Sequence, residues 1–321
     1  MAKLVRAISE MGGVVIAALD STEIVSEMER IHKTSAVVSA ALGRLLTASQ
    51  LMGAMLKSRD DSITLRIKAD GPIGNITVGC DGVGNCKGYV QNPVVEIPLR
   101  ADGKLDVGSA VGKNGNLYVI KDIGLKDPYV GNIPLVSGEI AEDITAYYAY
   151  SEQIPTVCGL GVLVNPDLTI KRAGGYLIQL LPGATEEEIT MIENNLKNVP
   201  SITKFFEQNK TVYDVIDTLL EGFNPNILDE DTVQYKCDCN RQRVEKALIS
   251  IGIDDLQEIY DEEEQIEMGC QYCDKKYYFT RNDIGKMIKN LKKRVFRQKN
   301  GNKMSIDLGS FFIYNYCGAV W

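Results

Sequence analysis

A chain of 321 residues exceeds what one ordinary hydrophobic core organises, so two domains are the expectation. Apolar residues at 45% and charged residues at 24% are those of a globular protein, which counts against a disordered or fibrous chain. The formal net charge of −8 counts against a general nucleic-acid binder, because phosphate contact needs clustered cations.

The opening MAKLVRAISEMGGVV has no long apolar core leading to a small-residue cleavage site, so no signal peptide is expected. No run of about 18 apolar residues predicts a membrane span. The expected location is therefore cytoplasmic, where thiols stay reduced and paired cysteines point to metal or redox chemistry. The sequons at Asn75 and Asn209 carry no meaning in that compartment.

The first predicted strand is VVIAALD, Val14–Asp20. A helix is expected over 29–57, with Ile31, Val38, Leu42, Leu45, Met52 and Leu56 at helical spacing. Its Ala, Gly and Ser content suits close packing on a sheet. His32, the only histidine, lacks partners for a catalytic arrangement and reads as a structural residue near a helix start. Strands are expected at 62–70 and 74–80, joined by GPIG as antiparallel neighbours. GCDGVGNCKG (79–88) lacks the strand, G-x-G-x-x-G and helix order of a dinucleotide site and reads as a hairpin loop. Further strands are expected at 117–123, 156–167 and 174–183, with a second helix over 139–153. Many strands and few intervening helices make residues 1–181 a mixed α and β domain with a mainly antiparallel sheet, and the chain α+β.

The texture changes at residue 182. Thr185 and Glu188 form a capping-box signature, and Glu186 and Glu187 suit a helix N-terminus. Ile189, Ile192, Leu196 and Val199 follow as a narrow apolar stripe, and Val212, Val215, Ile216, Leu219 and Leu220 mark another helix. Residues 182–230 thus read as an amphipathic helical linker whose stripe lies on the preceding domain. Residues 231–290 hold four of the eight cysteines with acidic residues in excess, DEEEQIE (261–267) reading as a solvated helix face or loop. Residues 291–321 are basic and then aromatic, with no role assigned; the basic cluster 292–294 reads as a solvated face.

Cys237, Cys239, Cys270 and Cys273 stand as C-x-C, thirty intervening residues, then C-x-x-C. Two close pairs of soft sulfur ligands in one small segment fit tetrahedral Zn2+. A segment of this size has little core and needs a staple, so an inert structural zinc site is one reading. A single residue between Cys237 and Cys239 departs from the usual C-x2-4-C knuckle. Sulfurs at i and i+2 still share one face of an extended strand, and a strained disulfide between them is sterically possible. A releasable redox site is therefore the other reading. Cys80, Cys86 and Cys158 read as buried or inert thiols, and Cys317 as an extra thiol able to form intermolecular disulfides.

The segments HKTSAVVSAALGRLLTAS (32–49), DGPIG (70–74), PLVSGEIAEDITAYYAYSEQIP (134–155), GVLVNPD (161–167) and AGGYLIQLLPG (173–183) resemble the heat shock protein 33 family of bacterial redox-regulated chaperones. YKCDC (235–239) and MGCQYC (268–273) are similar to its zinc motif in spacing and order. The resemblance covers roughly residues 1–290; the tail has no counterpart in it. It implies an ATP-independent holdase, not an enzyme, inactive while reduced and loaded with one zinc. Oxidants such as hypochlorite, or peroxide with heat, are implied to join Cys237 with Cys239 and Cys270 with Cys273, releasing zinc and loosening the C-terminal domain and linker. The exposed apolar surface then holds unfolding client proteins for ATP-dependent foldase chaperones, commonly as a homodimer. Here the candidate client surface is Ile189, Ile192, Leu196, Phe205 and Phe206. Two other classes remain at this stage: a thiol-disulfide oxidoreductase using Cys270 and Cys273, and a zinc-ribbon nucleic-acid adaptor, disfavoured by the charge.

Overall fold

The computed structural model describes residues 2–197 and 199–299, with side chains as far as residue 292. The described chain divides into two units, Met1–Lys236 and the residues from Cys237 onward. The fold class is α+β with antiparallel sheets, as the strand-rich sequence implies.

The first unit runs β1 (Ala2–Ile8), β2 (Val14–Asp20), α1 (Thr22–His32), α2 (Ala36–Ala54), β3 (Ser62–Ala69), β4 (Ile76–Asp81), β5 (Cys86–Val90), α3 (Val107–Val111), β6 (Gly115–Asp122) and β7 (Tyr129–Pro134). It continues through α4 (Ala141–Tyr147), a π-helical turn (Tyr148–Glu152), β8 (Thr156–Val164), β9 (Ile170–Leu180), α5 (Glu186–Lys197), α6 (Ile202–Glu207), α7 (Val212–Leu219) and β10 (Asn226–Val233). Two five-stranded antiparallel sheets result, ordered β10-β1-β2-β9-β8 and β5-β4-β3-β6-β7. The GPIG connection joins β3 to β4, and 79–88 forms the β4–β5 hairpin, as their turn residues imply.

Helix α2 packs against strands of both sheets, and sixteen of its nineteen residues are buried. It is long and apolar enough to cross a membrane by length and composition, with a mean hydropathy of 1.2, yet 89% of that stretch is enclosed by protein, so its apolar surface serves the core. Small residues make this possible: a Cβ on Gly43 would stand 2.7 Å from Val25 Cγ1 and 3.0 Å from Val162 Cγ2. The single helix expected over 29–57 is two helices. Lys33 adopts φ 51°, a left-handed conformation that ends α1. His32 consequently sits in the last turn of α1 and not near a helix start.

The linker lies on the preceding domain, as its stripe implies, but ends differently. Helices α5 to α7 cover the outer face of the first sheet, where Ile192, Phe205, Phe206, Val215, Ile216 and Leu219 are buried against Val5, Ile16 and Ile178. The chain then enters β10, which pairs with β1 from Ala2↔Val233 to Ile8↔Asn226. The boundary expected at residue 230 therefore falls inside a strand, and the units part after Lys236.

The second unit contains α8 (Arg241–Ser250), α9 (Ile253–Glu262), the hairpin β11 (Gln265–Gly269) and β12 (Lys276–Thr280), and α10 (Arg281–Lys299). The acidic stretch 261–267 ends α9 and begins β11. Leu248, Leu256, Ile259, Phe279, Ile284, Met287 and Ile288 form its core. Helix α10 runs through the expected tail boundary at 291; residues 300–321, with Cys317, lie outside the described residues.

Candidate metal centre

The four cysteines reach one point from two local structures. Cys237 and Cys239 lie in the extended segment before α8, whose N-terminus is capped by Asn240 accepting from the Arg243 N–H at 3.0 Å. Asp238, between the two cysteines, pairs with Arg243. Cys270 and Cys273 occupy the turn of the β11–β12 hairpin, where the Cys270 N–H donates to Lys275 O (3.0 Å) and the Cys273 N–H to Cys270 O (3.4 Å). Arg241 ties the first arm to the hairpin: its guanidinium donates to Tyr278 O (2.6 Å), pairs with Asp283 (3.0 Å) and lies 4.3 Å over the Phe279 ring.

Cys237 and Cys270 sulfurs are 3.6 Å apart and Cys239 and Cys273 sulfurs 3.4 Å apart. All four lie within 4.8 Å of one another and are half-buried. A tetrahedral zinc–thiolate site with bonds of about 2.3 Å has sulfur–sulfur edges of about 3.8 Å. The donor set therefore fits a tetrahedral metal ion. All the cysteines among the described residues are unbridged.

Electrostatics show what a cation would do for this cluster. Hydrogen bonding with Cys270, then burial, pushes the Cys237 thiol well up; burial, reinforced by Cys239 and Cys237, pushes up Cys273. Crowded thiols resist becoming thiolates together, and a divalent cation removes that resistance. Sequence reasoning missed Tyr277, whose Oη donates to Cys239 Sγ at 3.1 Å. It sits four residues beyond Cys273, where only the hairpin register brings it back. The Cys270–Cys273 pair lies in a hairpin turn, without the βαβ context of a thioredoxin-like dithiol.

The candidate client residues are elsewhere. Ile192, Phe205 and Phe206 are buried on the first sheet, Leu196 is half-buried against them, and Ile189 is half-buried. The stripe does lie on the preceding domain, so in this conformation it is core and not an open binding face. Cys80 and Cys86 are fully buried, and Cys158 is half-buried, its thiol pushed up to about 12 by burial.

The sequence model described as Hsp33 protein matches residues 2–280. A 33 kDa chaperonin of Clostridium perfringens (strain SM101) is 49% identical over 294 residues, covering 91% of this chain and 93% of that protein. The 33 kDa chaperonin of Clostridium acetobutylicum is also 49% identical, over 90% of this chain and 98% of its own. Among solved structures, the crystal structure of the 33 kDa chaperonin of Thermotoga maritima superposes with a TM-score of 0.83. It is 35% identical and covers 91% of this chain and 99% of its own. With its cysteine cluster, its two-unit α+β architecture and these matches, the chain belongs to the Hsp33 family.

Proposed function

We propose that this chaperone is a redox-regulated, ATP-independent holdase working in the cytoplasm. Three segments divide the work: residues 1–181 bind clients and dimerise, the helices α5 to α7 act as releasable linker, and the unit beyond Lys236 senses oxidants. The observation that carries the reading is the convergence of Cys237, Cys239, Cys270 and Cys273 within 4.8 Å in a unit with a small core. These residues would hold one Zn2+ as thiolates. The bound ion supplies a cross-link worth roughly 10–16 kcal/mol of folding free energy, comparable with or above the 5–15 kcal/mol of a typical domain.

Oxidation joins Cys237 with Cys239 and Cys270 with Cys273. Each disulfide forms from two thiolates as two electrons pass to hypochlorite or peroxide, and the unit loses its ligand set. The shortest sulfur contacts run between the pairs, but in a tetrahedron all edges are equivalent, so they do not select the pairing. The second unit then unfolds, and the linker comes away from the first sheet. Ile192, Phe205 and Phe206 leave Val5, Ile16 and Ile178, so that both apolar surfaces become available to unfolding clients. Held clients pass to ATP-dependent foldases, and the oxidised form acts as a homodimer.

The test compares reduced, zinc-loaded protein with oxidised protein in a client-aggregation assay while zinc release is followed. Oxidation is expected to release one zinc per chain and to suppress aggregation without ATP. Zinc release with no suppression would sink the holdase reading; turnover of a dithiol substrate would replace it with an oxidoreductase, and salt-sensitive RNA binding with an adaptor.

A further inference from the structure

Cys80 and Cys86 are cross-strand partners on β4 and β5, and both face the core between the sheets, at 4% and 1% exposure. The Asp81 N–H donates to Asn85 O at 3.0 Å, which makes that neighbouring pair the hydrogen-bonded one. The Cys86 N–H turns the other way, to Gln234 O (3.1 Å), and its carbonyl accepts from the Lys236 N–H (2.8 Å). Cys80 and Cys86 are thus a non-hydrogen-bonded pair, for which Cα atoms lie about 4.5 Å apart. That separation falls inside the disulfide window of about 4.4–6.8 Å. Joining them takes rotation of the two side chains and release of the Cys80 thiol from Asp81 O, to which it donates at 3.3 Å.

Strand β5 ends its sheet, and residues 234–236 cover its outer edge through a parallel bridge at Tyr235. Tyr235 Oη donates to Gly88 O (2.9 Å), accepts from the Gly88 N–H (3.3 Å) and meets His32 Nε2 at 3.2 Å. Burial keeps both thiols protonated, reinforced at each by the nearby Asp81 carboxylate. Core burial shields the pair, and the edge cover holds the β5 backbone closed over it. The covering segment runs directly into Cys237.

We infer that Cys80 and Cys86 are a second oxidisable dithiol, closing a cross-strand disulfide once residues 234–236 leave the β5 edge. With hydrogen peroxide as oxidant, one thiolate attacks a peroxide oxygen; the O–O bond breaks, giving a sulfenic acid and hydroxide, which takes up a proton as water. The second thiolate attacks the sulfenic sulfur; the S–S bond forms and the S–O bond breaks, releasing hydroxide that leaves as water. The sum is two thiols and one peroxide giving one disulfide and two waters. The pairing follows from β4–β5 register and does not depend on the reading of the four-cysteine centre.

The test treats the full-length reduced protein with hydrogen peroxide, quenches with acid, alkylates and maps linkages by mass spectrometry over time. A Cys80–Cys86 linked peptide is expected in the wild type. Tyr235→Phe keeps the ring and removes the hydroxyl, and should speed the linkage about two- to tenfold, as loss of one or two hydrogen bonds implies. If both residues stay alkylatable in both proteins while the other cysteines oxidise, the dithiol does not exist. Equal rates in the two proteins would overturn the gating. Linkage is read cysteine by cysteine, so either failure leaves the assignment of Cys237, Cys239, Cys270 and Cys273 untouched, and failure of that assignment leaves this one standing.

Discussion

At the scale of single residues, Asp143 shows how one carboxylate sets a backbone. It is fully buried and accepts N–H bonds from Val136 (2.7 Å), Ser137 (3.1 Å), Gly138 (3.4 Å) and Ile140 (3.0 Å). Ile140 has φ 71° and ψ −53°, a strained γ-turn conformation closed by the Ala141 N–H to Glu139 O (2.9 Å) and held here by that carboxylate. Asp143→Ala strands several buried donors and should cost about 3 kcal/mol or more in urea unfolding, with Asp143→Asn milder; an unchanged midpoint would refute this role. His32 makes a pH-dependent contribution. Burial depresses its pKa, so the folded state takes up its proton less readily than the unfolded chain. Its contribution is complete above the unfolded value of about 6.5 and is lost as pH falls below it. Unfolding midpoints measured from pH 7.5 to 5.5 should fall more steeply for the wild type than for His32→Gln, and parallel curves would exclude the effect. The joint change Cys237→Ser with Cys239→Ser should abolish zinc binding without oxidant, read by metal analysis; full retention would mean other ligands.

At the scale of elements, β2 and β3 show two kinds of strand. In β3, Ile63, Leu65 and Ile67 face the core while Ser62, Thr64, Arg66 and Lys68 do not, the alternation of a sheet with one covered face. In β2 the run VVIAAL is buried throughout, because α2 covers one face and α5 to α7 the other. The unbroken apolar run was thus a sign that something lies on both sides of this strand. Phe206 is a direct probe of that cover. Phe206→Ala should destabilise the linker by about 3–5 kcal/mol. Proteolysis of reduced protein should then cut within 186–219 faster than in the wild type, and unchanged cutting would show that the helices are held by other contacts.

At the scale of the whole molecule, the two units have unequal means of support. The first has two sheets, a central helix and a second apolar layer, whereas the second has, among the described residues, seven in its buried core beside its cysteine cluster. Chelation of zinc should therefore unfold residues beyond Cys237 while β1–β9 keep their hydrogen-exchange protection; simultaneous loss of both would contradict this independence.

Read alone, the sequence marked the four-cysteine cluster: each close pair is set by local spacing, Cys237 with Cys239 and Cys270 with Cys273, and the fold brings the two pairs within 4.8 Å of one another. It also determined the strand-rich α+β class and the capping box at Thr185 and Glu188, where Glu188 Oε2 accepts from the Thr185 N–H at 2.9 Å. Tertiary structure alone decided what long-range pairing controls. The edge strand β10 reads as linker because its partner β1 lies more than 200 residues earlier. The stripe from Ile189 to Phe206 reads as lying on the preceding domain, but periodicity shows which residues share a face and not which residues that face meets; the structure supplies Val5, Ile16 and Ile178. Cys80 and Cys86 looked like two unrelated thiols until strand register made them partners, and the return of residues 234–236 to β5 decided that their edge is closed.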